Sequence, residues 1–199
     1  MRNIFDQYNQ PENKLTHSLV SCLYEDKYLL NSFLENFCLN FFNKSLNLKI
    51  EQQTVPGELN LIDDENQKKG LPDAVIYSEE QCLIIESKVS STLTEDQLVR
   101  HEKTVRRRGF NNIRGIGIVV DLLPNVRLDN WKQITWNKVY SWAHKEAKKS
   151  EWATKLVDYF NVLENNMVEN EYLKEGSITE FTGISFNNEN LYSYGEGKR

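Results

Sequence analysis

The sequence predicts a mixed α/β domain, and three observations carry that prediction. A length of 199 residues matches one domain with a short appendage, at roughly 150 residues per domain. Apolar positions recur at helical spacing at both ends of the chain, and short β-branched runs dominate between them. Hydrophobic residues make up 39% and charged residues 27%, an ordinary globular balance that can bury a core without staples.

Pro11 suits a helix start, and Leu15, Leu19, Cys22 and Leu23 follow at helical spacing over 12–25. A second helix is expected over 27–44, where Leu29, Leu30, Phe33, Leu34, Phe37, Leu39, Phe41 and Phe42 form a broad apolar face. From 48 to 55 the pattern switches to period two, which reads as a strand. Residues 56–70, rich in Gly, Asn, Asp and Lys, read as loop. Two strand-like runs follow, Asp73 to Tyr77 and Cys82 to Val89, joined by the polar Ser78-Glu79-Glu80-Gln81 as in a hairpin. Thr94-Glu95-Asp96-Gln97 has the form of a capping box. It opens a helix to about 108, with Gly109 as its C-cap. Ile113 to Val120 is a buried strand with two glycines. A short strand over 131–135 and helices near 137–148 and 151–173 complete the order α, α, β, β, β, α, β, β, α, α.

The last segment, 176–199, scatters Phe181, Ile184, Phe186, Leu191, Tyr192 and Tyr194 among Gly, Asn and Glu. It reads as a docking piece after a 1–175 domain, at the N-terminal side of a longer protein.

Several classes of protein are disfavoured. Cys22, Cys38 and Cys82 are odd in number, widely spaced and apolar in context, so neither a disulfide framework nor a Cys-based zinc site is expected. Residues 1–14 are polar and form no signal peptide. The longest apolar runs, about four residues, are far too short for a bilayer span. A cytoplasmic protein without membrane contact is the expectation. The net charge of −5 at first speaks against a nucleic-acid binder. Yet residues 100–114 hold Arg100, Lys103, Arg106, Arg107, Arg108 and Arg114 against the single Glu102, a local +5. The total therefore hides a confined basic stretch.

The stretch richest in chemistry is Pro72-Asp73 followed by Cys82-Leu83-Ile84-Ile85-Glu86-Ser87-Lys88. Glu-x-Lys by itself carries no information, since it occurs five times, and only the copy at Glu86 closes an apolar strand. If Tyr77 stands opposite Cys82, then Val75 faces Ile84 and Asp73 faces Glu86. Two opposed carboxylates at a hairpin end are destabilising. A divalent cation between them removes the penalty, and carboxylate oxygens are the hard ligands that Mg²⁺ or Mn²⁺ prefers. Lys88, one pleat along the same face, reaches the same point.

Pro72-Asp73 … Glu86-Ser87-Lys88 resembles the signature of the PD-(D/E)XK nuclease superfamily, and the order of elements over about 8–120 is similar too. The resemblance implies a restriction-endonuclease-like core, in which a mixed central β-sheet is flanked by helices. It also implies Mg²⁺-dependent cleavage of phosphodiester bonds, with Mn²⁺ as a substitute. Asp73, Glu86 and the main-chain carbonyl of Ser87 would hold the metal, and Lys88 would orient the attacking water. Many members complete the site with an acidic residue on the first core helix. Glu12 stands there, its simpler role being to complement the helix dipole, and Glu51 is a rival. Exonuclease-like members carry Gln-x-x-x-Tyr on the helix after the motif strand. Here Gln97-Leu98-Val99-Arg100-His101 keeps the spacing with His in place of Tyr. Residues i and i+4 share a helix face, so Gln97 and His101 can both point at the site. Gln97 can alternatively serve the capping box, and His101 a solvated surface.

The basic group of Arg100, His101, Lys103, Arg106, Arg107 and Arg108 would contact a nucleic-acid backbone, DNA before RNA, without reading sequence. His17 and His144 read as structural, and the four tryptophans chiefly as core. An antiviral or restriction-type role follows from the resemblance alone, whereas cutting both strands of a duplex would favour a homodimer. The competing reading is a nuclease fold that binds nucleic acid or protein without cutting.

Overall fold

The structure, a computed structural model, describes residues 5, 11–38, 41–42, 47–52, 71–89 and 91–172. The expected loop over 56–70 and the segment 176–199 lie outside the described residues. Five helices and five strands are present among those described: α1 (Pro11–Glu25), α2 (Lys27–Phe37), β1 (Lys49–Gln52), β2 (Ala74–Tyr77), β3 (Gln81–Ser87), α3 (Glu95–Arg106), β4 (Asn112–Val119), β5 (Trp131–Thr135), α4 (Trp136–Glu146) and α5 (Glu151–Tyr172). Their order is the one the periodicity predicts.

The strands form one sheet in the order β1-β2-β3-β4-β5. The β1–β2 and β2–β3 pairs are antiparallel, whereas β3–β4 and β4–β5 are parallel. A hairpin of three turn residues, 78–80, joins β2 to β3, while the parallel β3–β4 pair needs a crossover, and α3 supplies it. The hairpin register is the expected one: Tyr77 pairs with Cys82 and Val75 with Ile84. Asp73, one residue before β2, therefore stands level with Glu86.

Period two splits the sheet into two faces. Ala74, Ile76, Leu83, Ile85, Ile116, Ile118 and Ile134 join the main core with residues of α1, α2, α4 and α5, among them Phe33, Trp136 and Phe160. The opposite face carries Val75, Tyr77, Cys82, Ile84 and Ile113, covered by Val105 of α3 and Phe110. The three cysteines are buried and free, as their apolar contexts predict, and burial pushes each thiol up to about 12. Trp142 is a core residue whose Nε1 donates to Ser32 Oγ at 3.0 Å.

Two of the boundaries that differ from the pattern have a clear physical cause. The second helix ends at Phe37, not at 44. Cys38 leaves helical geometry (φ −116°, ψ 2°) while its N–H still bonds Leu34 O. Tertiary partners then take over the chain: Gln81 Nε2 donates to Phe41 O at 2.6 Å, and Arg114 stacks on the Phe41 ring. The crossover helix ends at Arg106, and Gly109 follows the cap instead of forming it. Short bonds from Arg108 N to Val105 O and Gly109 N to Arg106 O tighten the last turn. Gly109 then takes φ +94°, a conformation that favours glycine.

Candidate active site

Glu86 is the sixth residue of β3 and faces α3, while its neighbour Ser87 faces α1. The strand ends there, so both side chains stand at the C-terminal edge of the sheet. Asp73 is brought level by the hairpin. Its Oδ2 accepts from Ser87 N at 2.7 Å, and its own N–H points at Glu86 Oε2 at 3.4 Å. Lys88 turns back into the same space, where its Nζ lies 2.7 Å from Glu86 Oε1 and 3.1 Å from Glu12 Oε1.

Glu12 comes from the first turn of α1. Its Oε2 also accepts from Val89 N and Ser91 Oγ, both at 3.2 Å. Thus Glu12 fixes the segment after β3 and holds the ammonium of Lys88 from the far side. Thr16, one turn along α1, shares a short hydrogen bond with Ser87 Oγ, which docks the helix on the strand end. The sequence gives no sign of that contact beyond the helical spacing of Glu12 and Thr16.

From the other side, α3 presents two residues one turn apart. Gln97 Nε2 donates to Glu86 Oε1 at 2.5 Å, and His101 Nε2 lies 3.0 Å from Glu86 Oε2. Gln97 completes only half of the expected capping box. Its main-chain N–H serves the Thr94 cap at 3.4 Å while its side chain reaches the carboxylate. His101 is only 1% exposed. The structure thus places it in the carboxylate cluster, not on a solvated face and not with the exposed basic residues. The reason is the period: Leu98, His101 and Val105 are the buried stripe of α3. Glu51 stays away from the cluster and accepts from Tyr77 OH at 2.5 Å.

The electrostatics split the carboxylate pair. Burial, then the charge of Glu86, pushes Asp73 up from its ordinary value to about 6. Burial also works against the charge on Glu86, but His101 and then Lys88 outweigh it and hold Glu86 below the usual range. For Lys88, burial opposes the charge, while Glu86 and Glu12 outweigh it and keep the ammonium protonated above its ordinary range. Of the two carboxylates, Glu86 is the one whose charge its neighbours favour, and Asp73 the one whose charge burial and Glu86 oppose.

Asp73 and Glu86 fit a hard divalent cation by donor type. Among the described residues no group of three or more His, Cys, Asp or Glu side chains could hold an ion. The remaining donors would have to be main-chain oxygen and water, the habit of Mg²⁺, which keeps several waters. Glu12 stands behind Lys88 in this arrangement.

Of the basic group, Arg100, Lys103, Arg106 and Arg107 are exposed on or just after α3, and Arg108 is half-buried. Arg106 lies 3.8 Å from Glu102. Arg114 belongs to the opposite face, where it stacks on Phe41 and donates to Cys38 O at 3.2 Å. Of the two structural histidines, His17 shares a 2.7 Å hydrogen bond with Gln52.

The hairpin thus opposes Asp73 to Glu86 at one edge of a mixed sheet, and Lys88 closes the strand end. A model of the PD-(D/E)XK nuclease superfamily matches residues 2–182, and the chain belongs to that superfamily. No curated protein matches. Among solved structures, the chain is similar to the small subunit of a heterodimeric restriction endonuclease, at 11% identity and a TM-score of 0.35. The match covers 79% of this chain and 97% of that one. No helix among the described residues is long and apolar enough to cross a membrane.

Proposed function

We propose that this chain is a metal-dependent nuclease that hydrolyses phosphodiester bonds of DNA, with Mg²⁺ as its ion and Mn²⁺ as a substitute. The single observation that carries the reading is the convergence of Asp73, Glu86 and Lys88 at the end of β3, with Lys88 Nζ 2.7 Å from Glu86 Oε1. Asp73, Glu86 and the main-chain carbonyl of Ser87 would hold the cation. When bound, it supplies positive charge against the oxygens of the phosphate under attack.

The chain's own residues do the rest. Lys88, fixed between Glu86 and Glu12, donates to the attacking water and orients one of its lone pairs toward phosphorus. Gln97 and His101 hold Glu86 in one rotamer, so the carboxylate meets its charge partners without reorganising. Arg100, Lys103, Arg106, Arg107 and Arg108 lie on and just after the helix that carries Gln97, where they would contact the phosphate backbone. A restriction-type or antiviral role would use this activity against foreign DNA, with 176–199 as the docking segment.

The test is cleavage of linear and circular DNA by wild type, Asp73→Ala and Lys88→Ala in Mg²⁺, in Mn²⁺ and in EDTA. Wild type should cut with either metal and not in EDTA, and both variants should fail. Equal cleavage by all three proteins would overturn the assignment.

A further inference from the structure

A second feature lies on the same sheet face as Glu86. Across the sheet, Glu86 pairs with Gly117 and Gly117 with Gln133. Adjacent strands are about 4.8 Å apart, so the row runs straight from the catalytic carboxylates to β5. Beside it opens a cavity of about 260 Å³ lined by Leu93, Leu98, Leu128, Trp131, Arg127 and Asp129.

The cavity is built in advance. Gly115 and Gly117 let Trp131 and Leu93 lie directly on the sheet. A Cβ at Gly115 would fall 2.2 Å from the indole, and one at Gly117 would fall 2.7 Å from Leu93 Cδ2. Trp131 Nε1 donates to Glu102 Oε1 at 2.9 Å, which fixes the ring plane. The wall formed by 120–130 is held at two points. Gln133 Oε1 accepts from Leu123 N at 2.9 Å while its Nε2 donates to Leu123 O and Val126 O at 2.9 and 2.7 Å. Arg127 N donates to Glu95 Oε1 at 2.9 Å. Pre-formed, mostly apolar pockets with a few polar groups are the usual form of a ligand site.

Position gives the occupant. Gln97 touches the catalytic Glu86, and Leu98, the next residue of α3, lines the cavity. A nucleotide with its phosphate at Asp73, Glu86 and Lys88 therefore has its base within reach of the cavity. An indole and aliphatic walls suit a planar base, as aromatic platforms do elsewhere. The polar lining adds selectivity. Guanine offers two neighbouring N–H donors, which match the carboxylate of Asp129. It also offers the O6/N7 acceptor pair, which matches the two terminal NH₂ groups of Arg127, whose Nε is held by Pro124 O at 3.0 Å. We infer that this cavity receives a guanine base, unstacked from the substrate strand beside the scissile phosphate.

The inference rests on the nuclease reading for the placement of the phosphate and for the polymer to which the base belongs. Isothermal titration of the full chain in EDTA tests it, with dGMP, dCMP and the baseless control deoxyribose 5-phosphate. We expect dGMP to bind at least tenfold more tightly than the control and more tightly than dCMP. Arg127→Ala and Asp129→Ala, both exposed loop positions, should each cut the tenfold ratio below threefold. Equal affinity for dGMP and the control, or variants that keep the ratio, would overturn the cavity's role. dCMP binding as tightly as dGMP would overturn the guanine assignment. Cleavage of DNA by a protein that ignores the base removes this inference and leaves the nuclease. Selective dGMP binding without any cleavage removes the nuclease and leaves the cavity.

Discussion

The two faces of the sheet are made by alternate residues of the same strands, yet they solve different problems. One face, with Ile85 and Ile118 among its members, lies under α1, α2, α4 and α5 and carries a continuous apolar core. The other face is shifted by one residue along each strand. It carries Glu86, Gly117 and Gln133 under the single helix α3 and the 120–130 wall. A one-residue step, from Ile85 to Glu86, separates stability from chemistry. Four helices over one face let the other keep a buried charge cluster and an open cavity.

The largest effects should separate the faces cleanly. Asp73→Asn removes a charge that is already costly in the fold, because burial and Glu86 both oppose it. Cleavage should fall by about 10³-fold, within the range for loss of an electrostatic or proton-transfer group. The melting temperature in EDTA should stay level or rise. Phe160→Ala on the core face, by contrast, should cost about 3–5 kcal/mol, much of a stability of about 5–15 kcal/mol. Its cleavage per folded molecule should stay intact. Urea unfolding and cleavage assays on the same preparations check both, and an Asp73→Asn protein that unfolds would erase the distinction.

Much of this division is legible in the sequence. The alternation in Cys82-Leu83-Ile84-Ile85-Glu86-Ser87-Lys88, with the turn residues ahead of it, predicts the register that sets Asp73 opposite Glu86. Local pattern suffices there because hairpin register is set locally. The spacing of Gln97 and His101 likewise predicts a shared approach to the site, and both reach Glu86. What local pattern cannot decide is depth. Whether His101 meets solvent or a carboxylate depends on how closely α3 lies on the sheet, a tertiary quantity. The contact of Thr16 with Ser87 joins residues 71 positions apart, and the cavity beside Trp131 joins a loop to a helix. The signal that could have found the cavity is Gly115 and Gly117, two glycines at period two in an otherwise β-branched strand, which mark a close approach to that face.

Those glycines supply a smaller test. Gly115→Ala places a methyl group 2.2 Å from a rigid indole held by Glu102, whereas Gly117→Ala meets the flexible end of Leu93 at 2.7 Å. Gly115→Ala should cost about 1–3 kcal/mol, the usual range for overpacking. Gly117→Ala should be nearly neutral, because a strand gains about 0.5–1 kcal/mol when Ala replaces Gly. Denaturant midpoints at constant slope measure both. Equal costs at the two positions would mean that Trp131 is not fixed on the sheet and that this wall of the cavity yields.

The smallest effects concern the charge that surrounds the site. Arg107 is exposed just past α3, on the side of the sheet that bears Glu86, and Arg114 is committed to Phe41 and Cys38 O on the opposite side. Each phosphate a protein neutralises contributes about 0.9 to the salt slope of duplex binding, or about 0.7 for a single strand. Arg107→Ala should therefore lower the slope of log K against log salt by about one contact. Arg114→Ala should leave the slope alone and register instead as lost packing. Fluorescence anisotropy with labelled DNA at four salt concentrations in EDTA measures both slopes and, from duplex and single strand in parallel, shows which form the basic side fits. If Arg114→Ala lowered the slope as much as Arg107→Ala does, nucleic acid would reach both faces, and the sheet would no longer separate core from site.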